Sequence, residues 1–210
     1  FNRMSFIPKQ IPEGAIRFNT DSSKMEVWIG DKWMQVAVSS PNLDGGARGI
    51  FAGGATPSNS DVIDFITIST QGDATDFGNL TDQRQWVFGA ASSRVRGVFT
   101  GGFTPSISDI IDFVTISSTG NATDFGNLLD SKAAHAGCGN ETRGLFGGGN
   151  PEASSNKTDG IEFITIASTG NGVDFGNLNA ATASLCGTAS PTRGLFMGGY
   201  TPTTLNTIQF

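Results

Sequence analysis

Apolar residues in this chain come in short extended runs, and each run is cut by glycine or by a cluster of Ser, Thr, Asn and Asp. The segment Ile63-Asp64-Phe65-Ile66-Thr67-Ile68 shows the pattern. As a strand it places Ile63 and Phe65 on one face and Ile66 and Ile68 on the other. A strand apolar on both faces belongs to a sheet that is covered on both sides. Upstream, Arg48-Gly49-Ile50-Phe51 reads as a strand ended by the doublet Gly53-Gly54, whose freedom at positive φ suits a tight turn. A third strand is predicted at 75–77 and a fourth within 86–92. No run has a helical period, and glycine interrupts every longer stretch, so no helix is expected. Near the start, strands are predicted at 15–19, 24–29 and 33–38, the last two joined by a turn at Gly30 and Asp31.

These elements repeat in a fixed order. Arg-Gly, an apolar pair and a Gly doublet occur from Arg48, Arg96, Arg143 and Arg193, at spacings of 48, 47 and 50. The β-branched strand follows from Val62, Ile110 and Gly160, and as Thr207-Ile208-Gln209-Phe210. Then come ATDFGNL from Ala74, ATDFGNL from Ala122 and GVDFGNL from Gly172. Four short strands per period, with both faces apolar, describe a propeller blade packed between neighbouring blades. The expected fold is therefore all-β: a hairpin module at 1–40, then propeller repeats at 41–210. The repeats are cut at about 48–95, 96–142 and 143–192, with a partial one at 193–210. Phe18, Phe65, Phe113, Phe163 and Phe210 are spaced by 47, 48, 50 and 47. That phase raises a four-bladed ring closed by mixing both termini, or part of a larger ring, either of which would hide sheet edges.

Composition narrows the function. The chain has 210 residues with 29 Gly and 16 Phe, and only 15% are charged, which argues against disorder. Its net charge of −6 disfavours a nucleic-acid partner, because phosphate binding needs a basic surface. No apolar run is long enough for a membrane-spanning helix, so no membrane insertion is expected. The opening Phe1-Asn2-Arg3 lacks an initiator Met, as expected of part of a longer polypeptide or a processed product. Two Cys and one His leave too few ligands for a four-ligand zinc site, and neither a metal nor a cofactor is expected. Cys138 and Cys186 lie 48 residues apart, which favours two buried thiols in near-equivalent places over a bridge.

Two resemblances sit on these residues. A Gly doublet after an apolar strand, then a β-branched strand, a polar turn and an aromatic strand, resembles the kelch-type repeat. Phe77, Phe125 and Phe175 stand where that repeat usually has Trp, and Phe65, Phe113 and Phe163 where it has Tyr. Residues 11–36 resemble a short β-module of bacteriophage tail-fibre and other virion appendage proteins. The matching features are Gly14 before an apolar-Arg-aromatic strand, Asn19-Thr20-Asp21 before a polar turn, and Ile29-Gly30 with Trp33. The resemblance implies a virion protein that assembles with other virion subunits as a homo-oligomer and meets a host-surface glycan or protein.

Candidate chemistry is sparse. Asp76, Asp124 and Asp174 each begin an Asp-Phe-Gly triplet, but a triplet repeated once per unit without a lysine strand or catalytic loop is structural, not a kinase motif. Arg48, Arg96, Arg143 and Arg193 hold equivalent positions, and one Arg beside one Asp per repeat points to a structural ring of ion pairs. His135 reads as a packed strand residue rather than a catalytic base, and no enzyme activity is expected. Loops on a rigid scaffold are the usual place for recognition. The loops after the Gly doublets (55–61, 103–109, 150–159 and 200–206) differ most between repeats. Their first residues, Ala55, Phe103, Asn150 and Tyr200, are the candidate ligand-binding positions, with Phe103 and Tyr200 exposed and able to stack on sugar rings. The expected function is a non-enzymatic virion component. A secreted or cell-surface adhesin or lectin is the alternative, and a glycan hydrolase on a propeller stands behind it.

Overall fold

A computed structural model of the protein describes residues 11–20, 24–36, 48–151 and 156–210. The chain divides into two compact units, Phe1–Pro41 and Asn42–Phe210. Every regular element among the described residues is a strand in an antiparallel sheet.

The first unit is a three-stranded meander of β1 (Ile16–Asn19), β2 (Lys24–Ile29) and β3 (Lys32–Gln35). Gly30, at φ +69°, and Asp31 form the two-residue turn between β2 and β3. The third strand begins one residue earlier than the sequence pattern indicates, and positions 37–38 of that expected strand lie outside the described residues. One cross-strand stack holds the meander's face. Trp28 meets Trp33 edge-on at 5.3 Å, and the Arg17 guanidinium lies 4.2 Å from the Trp33 ring centre. Arg17 also pairs with Glu26 at 2.8 Å. Hydrogen bonds from Asn19 and then Arg17 hold the Glu26 carboxyl below the usual carboxylate range.

The second unit is a series of four larger sheets, with two-stranded ribbons at Phe103–Thr104/Ser106–Ile107 and Tyr200–Thr201/Thr203–Thr204. Sheet 1 comprises Arg48–Ala52, Val62–Thr67 and Thr75–Asn79. Sheet 2 comprises Gly89–Ser92, Arg96–Thr100, Ile110–Thr115 and Thr123–Asn127. Sheet 3 comprises Ala136–Gly139, Arg143–Gly147, Gly160–Thr165 and Val173–Asn177. Sheet 4 comprises Cys186–Ala189, Gly194–Met197 and Ile208–Gln209. The sequence period, cut at the Arg-Gly pairs, places 86–92 last in its repeat. The structure instead makes Gly89–Ser92 the leading strand of sheet 2, paired with Arg96–Thr100. The reason is local: Ser93 N–H bonds to Arg96 O at 3.0 Å, closing a tight hairpin, whereas 80–88 must cross from the far edge of sheet 1.

Successive sheets pack face to face, and their alternation explains why the strands are apolar on both sides. Ile50, Ile63, Phe65 and Phe77 of sheet 1 face Phe99 and Val114 of sheet 2. The opposite side of sheet 2, with Val98, Ile111 and Phe125, faces Phe146, Ile164 and Ile166 of sheet 3. Sheet 3 then meets Phe196 of sheet 4 through Ala136, Cys138 and Leu145. At the leading edge the backbones nearly touch: a Cβ built on Gly137 would lie 2.3 Å from Ala90 O, and one on Gly187 would lie 2.3 Å from Gly137 O. At the other edge, the polar turns of sheets 2 and 3 bond to the last strand of the sheet before. Gly120 N–H donates to Phe77 O at 2.7 Å, and Gly170 N–H to Phe125 O at 2.8 Å. The Gly doublets fold the chain back onto the crossing segments. Gly101 and Gly102, at φ +60° and +110°, bring Gly102 N–H within 3.0 Å of Lys132 O.

A closed ring is not seen among the described residues. The outward side of sheet 1 is open, with Phe51 60% exposed, and so is that of sheet 4, with Phe210 83% exposed.

Candidate functional site

In the β-branched strand of each sheet one polar residue breaks the apolar pattern: Asp64, Asp112, Glu162 and Gln209. A β-bulge falls just before it in sheets 1, 2 and 3, and an inserted residue of this kind re-aims neighbouring side chains. In sheets 2 to 4 that polar side chain is buried against the segment crossing from the preceding sheet. Asp112 receives Arg84 at 2.5 Å and Thr81 at 2.6 Å, and the same guanidinium bonds to Gly101 O and Ile110 O at 2.8 and 3.1 Å. Burial pulls the Arg84 guanidinium below its usual range, and Asp112 and Asp82 oppose that pull. Glu162 receives Lys132 at 2.5 Å and Leu129 N–H at 2.8 Å. Gln209 replaces the acid in the last joint and accepts from Asn179 N–H at 2.6 Å, with Thr182 where the cation would be. These pairs are interior fasteners. A buried charge is tolerated only with a partner, and here each acid has one from the neighbouring repeat.

The repeated arginines do not form the expected ion pairs. Arg48, Arg96, Arg143 and Arg193 lie over Phe65, Phe113, Phe163 and Phe210, with distances of 4.6, 4.5, 4.7 and 4.7 Å to the ring centres. Asp76, Asp124 and Asp174 are exposed, and none of them is in an ion pair among the described residues. In register they sit opposite another acid (Asp64, Asp112 and Glu162), on strands that leave no Arg within reach. The guanidiniums sit over the aromatic rings, a stabilising contact. Arg48 and Arg96 also donate to Ile116 O and Ile166 O of the next sheet, at 2.7 and 3.0 Å.

His135 is fully buried, but it lies one residue before the strand Ala136–Gly139 rather than in it. Thr100 Oγ1–H points at Gly89 O, 3.0 Å away, so the 2.7 Å contact between Thr100 Oγ1 and His135 Nε2 is a bond donated by the imidazole. Nδ1 has no partner. Burial first, and Lys132 second, push the imidazole down to about 3, so it is neutral at physiological pH. A site closed to solvent offers no path to a substrate, which fits packing rather than catalysis. Cys138 is buried as expected, but Cys186 is exposed. Pairing explains the difference: Cys138 sits opposite Leu145 and Cys186 opposite Met197, so the two thiols fall two residues apart in the repeat.

The loop positions come together along one edge. Trp86, Ala134 and Ser184 hold φ of +58°, +53° and +57° just before the leading strands. They are linked in sequence: Ala134 N–H to Trp86 O at 3.3 Å, and Ser184 N–H to Ala134 O at 2.7 Å. Each neighbouring crossing residue bridges to the first residue of a variable loop: Gln85 to Phe103, Ala133 to Asn150 and Ala183 to Tyr200. The four loops are thus set side by side. Asn59 of the first donates to Phe103 O of the second at 3.0 Å, and Lys157 of the third lies 4.8 Å from the Tyr200 ring centre. Ala55 bridges Asn59 within its own loop and is exposed. Positions 152–155 of the third loop lie outside the described residues.

Phe103 is half-buried rather than exposed, because Trp86 covers it at 5.4 Å between ring centres. Trp86 is the exposed member of that pair, at 45%, and Tyr200 is exposed at 47%. Sequence reasoning placed Trp86 in a strand and missed it. The available signal was a lone Trp where the other repeats have Ala134 and Ser184. The edge therefore presents two separated aromatic faces among Thr, Ser and Asn. No group of three His, Cys, Asp or Glu residues is placed to hold a metal ion among the described residues. Set against protein-family models and curated proteins, the chain matches none.

Proposed function

We propose that the chain is a non-enzymatic structural protein of a bacteriophage virion, a tail-fibre or appendage component. Its four sheets would be consecutive blades of a kelch-like β-propeller, and its loop edge would contact the host surface or neighbouring virion subunits. The observation that carries this reading is the alignment of the four variable loops on one edge of a rigid series, with Trp86 and Tyr200 exposed on it. Loops held by a rigid scaffold are suited to recognition, and flat aromatic faces among hydroxyl and amide groups suit sugar rings. The likeness of residues 11–36 to virion appendage modules supplies the virion setting.

A cell-surface adhesin or lectin is the second reading, favoured by the same aromatic faces. Quantitative mass spectrometry of purified particles separates the two: the proposal expects the chain at fixed stoichiometry, and its absence from virions sinks the virion reading. On a glycan array, Trp86→Ala and Tyr200→Ala should each weaken binding roughly tenfold, the cost of one lost aromatic stack. Unchanged binding in both would reject the loop edge as the recognition surface.

A further inference from the structure

Three joints between sheets are visible in the second unit, and the same contact builds each. One side of a sheet carries a Phe on its Arg-Gly strand and an Ile one residue past the end of the β-branched strand, and this side enters the joint. The Phe residues are Phe99, Phe146 and Phe196, at 6%, 0% and 4% exposure, and the Ile residues of the first two joints are Ile116 and Ile166, at 7% and 0%. Sheet 1 has the same residues on the same side, Phe51 and Ile68, but they are 60% and 67% exposed. Among the described residues the receiving side of sheet 4 is open. Ile208 is 63% exposed there, whereas its equivalents Ile63 and Ile111 are fully buried. One molecule therefore carries both halves of a contact it already makes three times.

We propose that these two faces bind each other between molecules: sheet 1 of one copy docks on sheet 4 of a second copy, head to tail. The internal joints supply the register. Gly97, Gly144 and Gly194 enter the joints without a side chain, and Gly49 is their equivalent in sheet 1. A Cβ on Gly144 would lie 2.9 Å from Ala91 Cβ, and one on Gly194 would lie 3.0 Å from Cys138 Sγ. Ala91 and Cys138 correspond to Thr188 in sheet 4, opposite Leu195. Gly49 of one copy thus meets Thr188 of the next. Arg48 and Arg96 cross their joints to Ile116 O and Ile166 O, so Arg193 is positioned to reach Ile68 O of the second copy. Asp64 sits where the preceding repeat would lay its crossing segment. A contact between two different faces of one molecule is heterologous, and it propagates until geometry closes it into a ring. This proposal stands apart from the virion reading and needs no host ligand.

The test uses the whole chain with Cys186→Ser. Gly49→Cys and Thr188→Cys are made separately, oxidised mildly and run on a non-reducing gel. Mixed together they should give a covalent dimer that neither gives alone, since the equivalent Cβ positions lie 2.9 Å apart and need to open by less than about 1 Å to reach disulfide spacing. Gly194→Cys is the control and should bridge to Cys138 within one chain. The proposal is overturned if the control bridges while the mixture stays monomeric, or if the Gly49→Cys/Thr188→Cys double variant bridges only within its own chain. In sedimentation, the mass of the wild type should rise with concentration. Phe51→Asp should weaken that association roughly 10- to 100-fold without moving the melting temperature, because Phe51 is exposed in the single chain. A wild type that stays monomeric at high micromolar concentration overturns the proposal as well.

Discussion

The joint between sheets 1 and 2 and the joint between sheets 3 and 4 occupy the same backbone positions with different chemistry. The first buries Arg84 against Asp112, and the last places Thr182 and Gln209 there, with Asn179 N–H bonding the amide oxygen. The middle joint, with Lys132 and Glu162, resembles the first. A second position varies in the same way: Val87 and Leu185 pack beneath the Gly doublets where the middle crossing segment has His135. The comparison separates two requirements. Geometry demands a polar acceptor in the third strand, because the crossing segment has backbone N–H groups that must be satisfied inside. A full charge is optional, but once one is present its partner is not.

The largest effect should come from breaking a charged joint on one side only. Arg84→Ala strands Asp112 in the interior and should cost about 3–5 kcal/mol. The double variant Arg84→Thr/Asp112→Gln copies the last joint and should recover most of that loss. Urea unfolding of the wild type, single and double variants checks it. A double variant as unstable as the single one would show that the neutral joint depends on its own surroundings.

The next effect is on pH dependence. The unfolded chain binds a proton at His135 near 6.5, and the folded chain only near 3. Acid therefore favours unfolding: the contribution is complete above 6.5 and is lost as pH falls toward 3. Between pH 6.5 and 4 the loss is roughly 3 kcal/mol at 1.36 kcal/mol per pH unit. His135→Leu gives the middle joint the residue found at Leu185. Urea midpoints at pH 7 and pH 4 should lie closer together in this variant than in the wild type, and equal pH slopes would remove His135 from the account.

The smallest effect belongs to the outer ties. Asn121 and Asn171 accept from Asn79 N–H and Asn127 N–H of the preceding sheets, at 3.1 and 3.0 Å. Asn121→Ala and Asn171→Ala should each cost about 0.5–1 kcal/mol, as exposed hydrogen bonds do. Similar losses would show that the first two joints are alike at this edge, whatever charge they bury. Thermal melts resolve such a difference.

Much of the second unit was legible in the residues. Alternation in Ile63 to Ile68 set a strand apolar on both faces, although the outward face of this one is open, and the four Arg-Gly motifs set the period. Three features were not legible. Strand membership at 89–92 depended on whether that segment pairs forward or back, and only the hairpin turn at Ser93 decides it. The buried pairs join residues 28 and 30 positions apart in chain, Arg84 with Asp112 and Lys132 with Glu162. A signal for them existed: Arg84, Lys132 and Thr182 each follow Phe77, Phe125 and Phe175 by seven residues. The arginines were assigned to the aspartates by charge, but the ladder puts each Arg beside a Phe and each Asp opposite an acid.

Along the loop edge the same limit appears. Sequence variation marked Ala55, Phe103, Asn150 and Tyr200, while exposure at Trp86 and burial at Phe103 depend on how two crossing segments meet. What the sequence by itself determined was the local pattern: which residues extend, where glycine must turn at positive φ, and how often the unit recurs. Such features arise from steric and solvation effects within a few residues. What only the tertiary structure decided was which face of a sheet is covered, and by what. Phe51 and Phe99 hold the same place in the Arg-Gly-apolar-Phe motif, yet one is exposed and the other buried. The difference lies in the neighbouring sheet, which no local pattern contains.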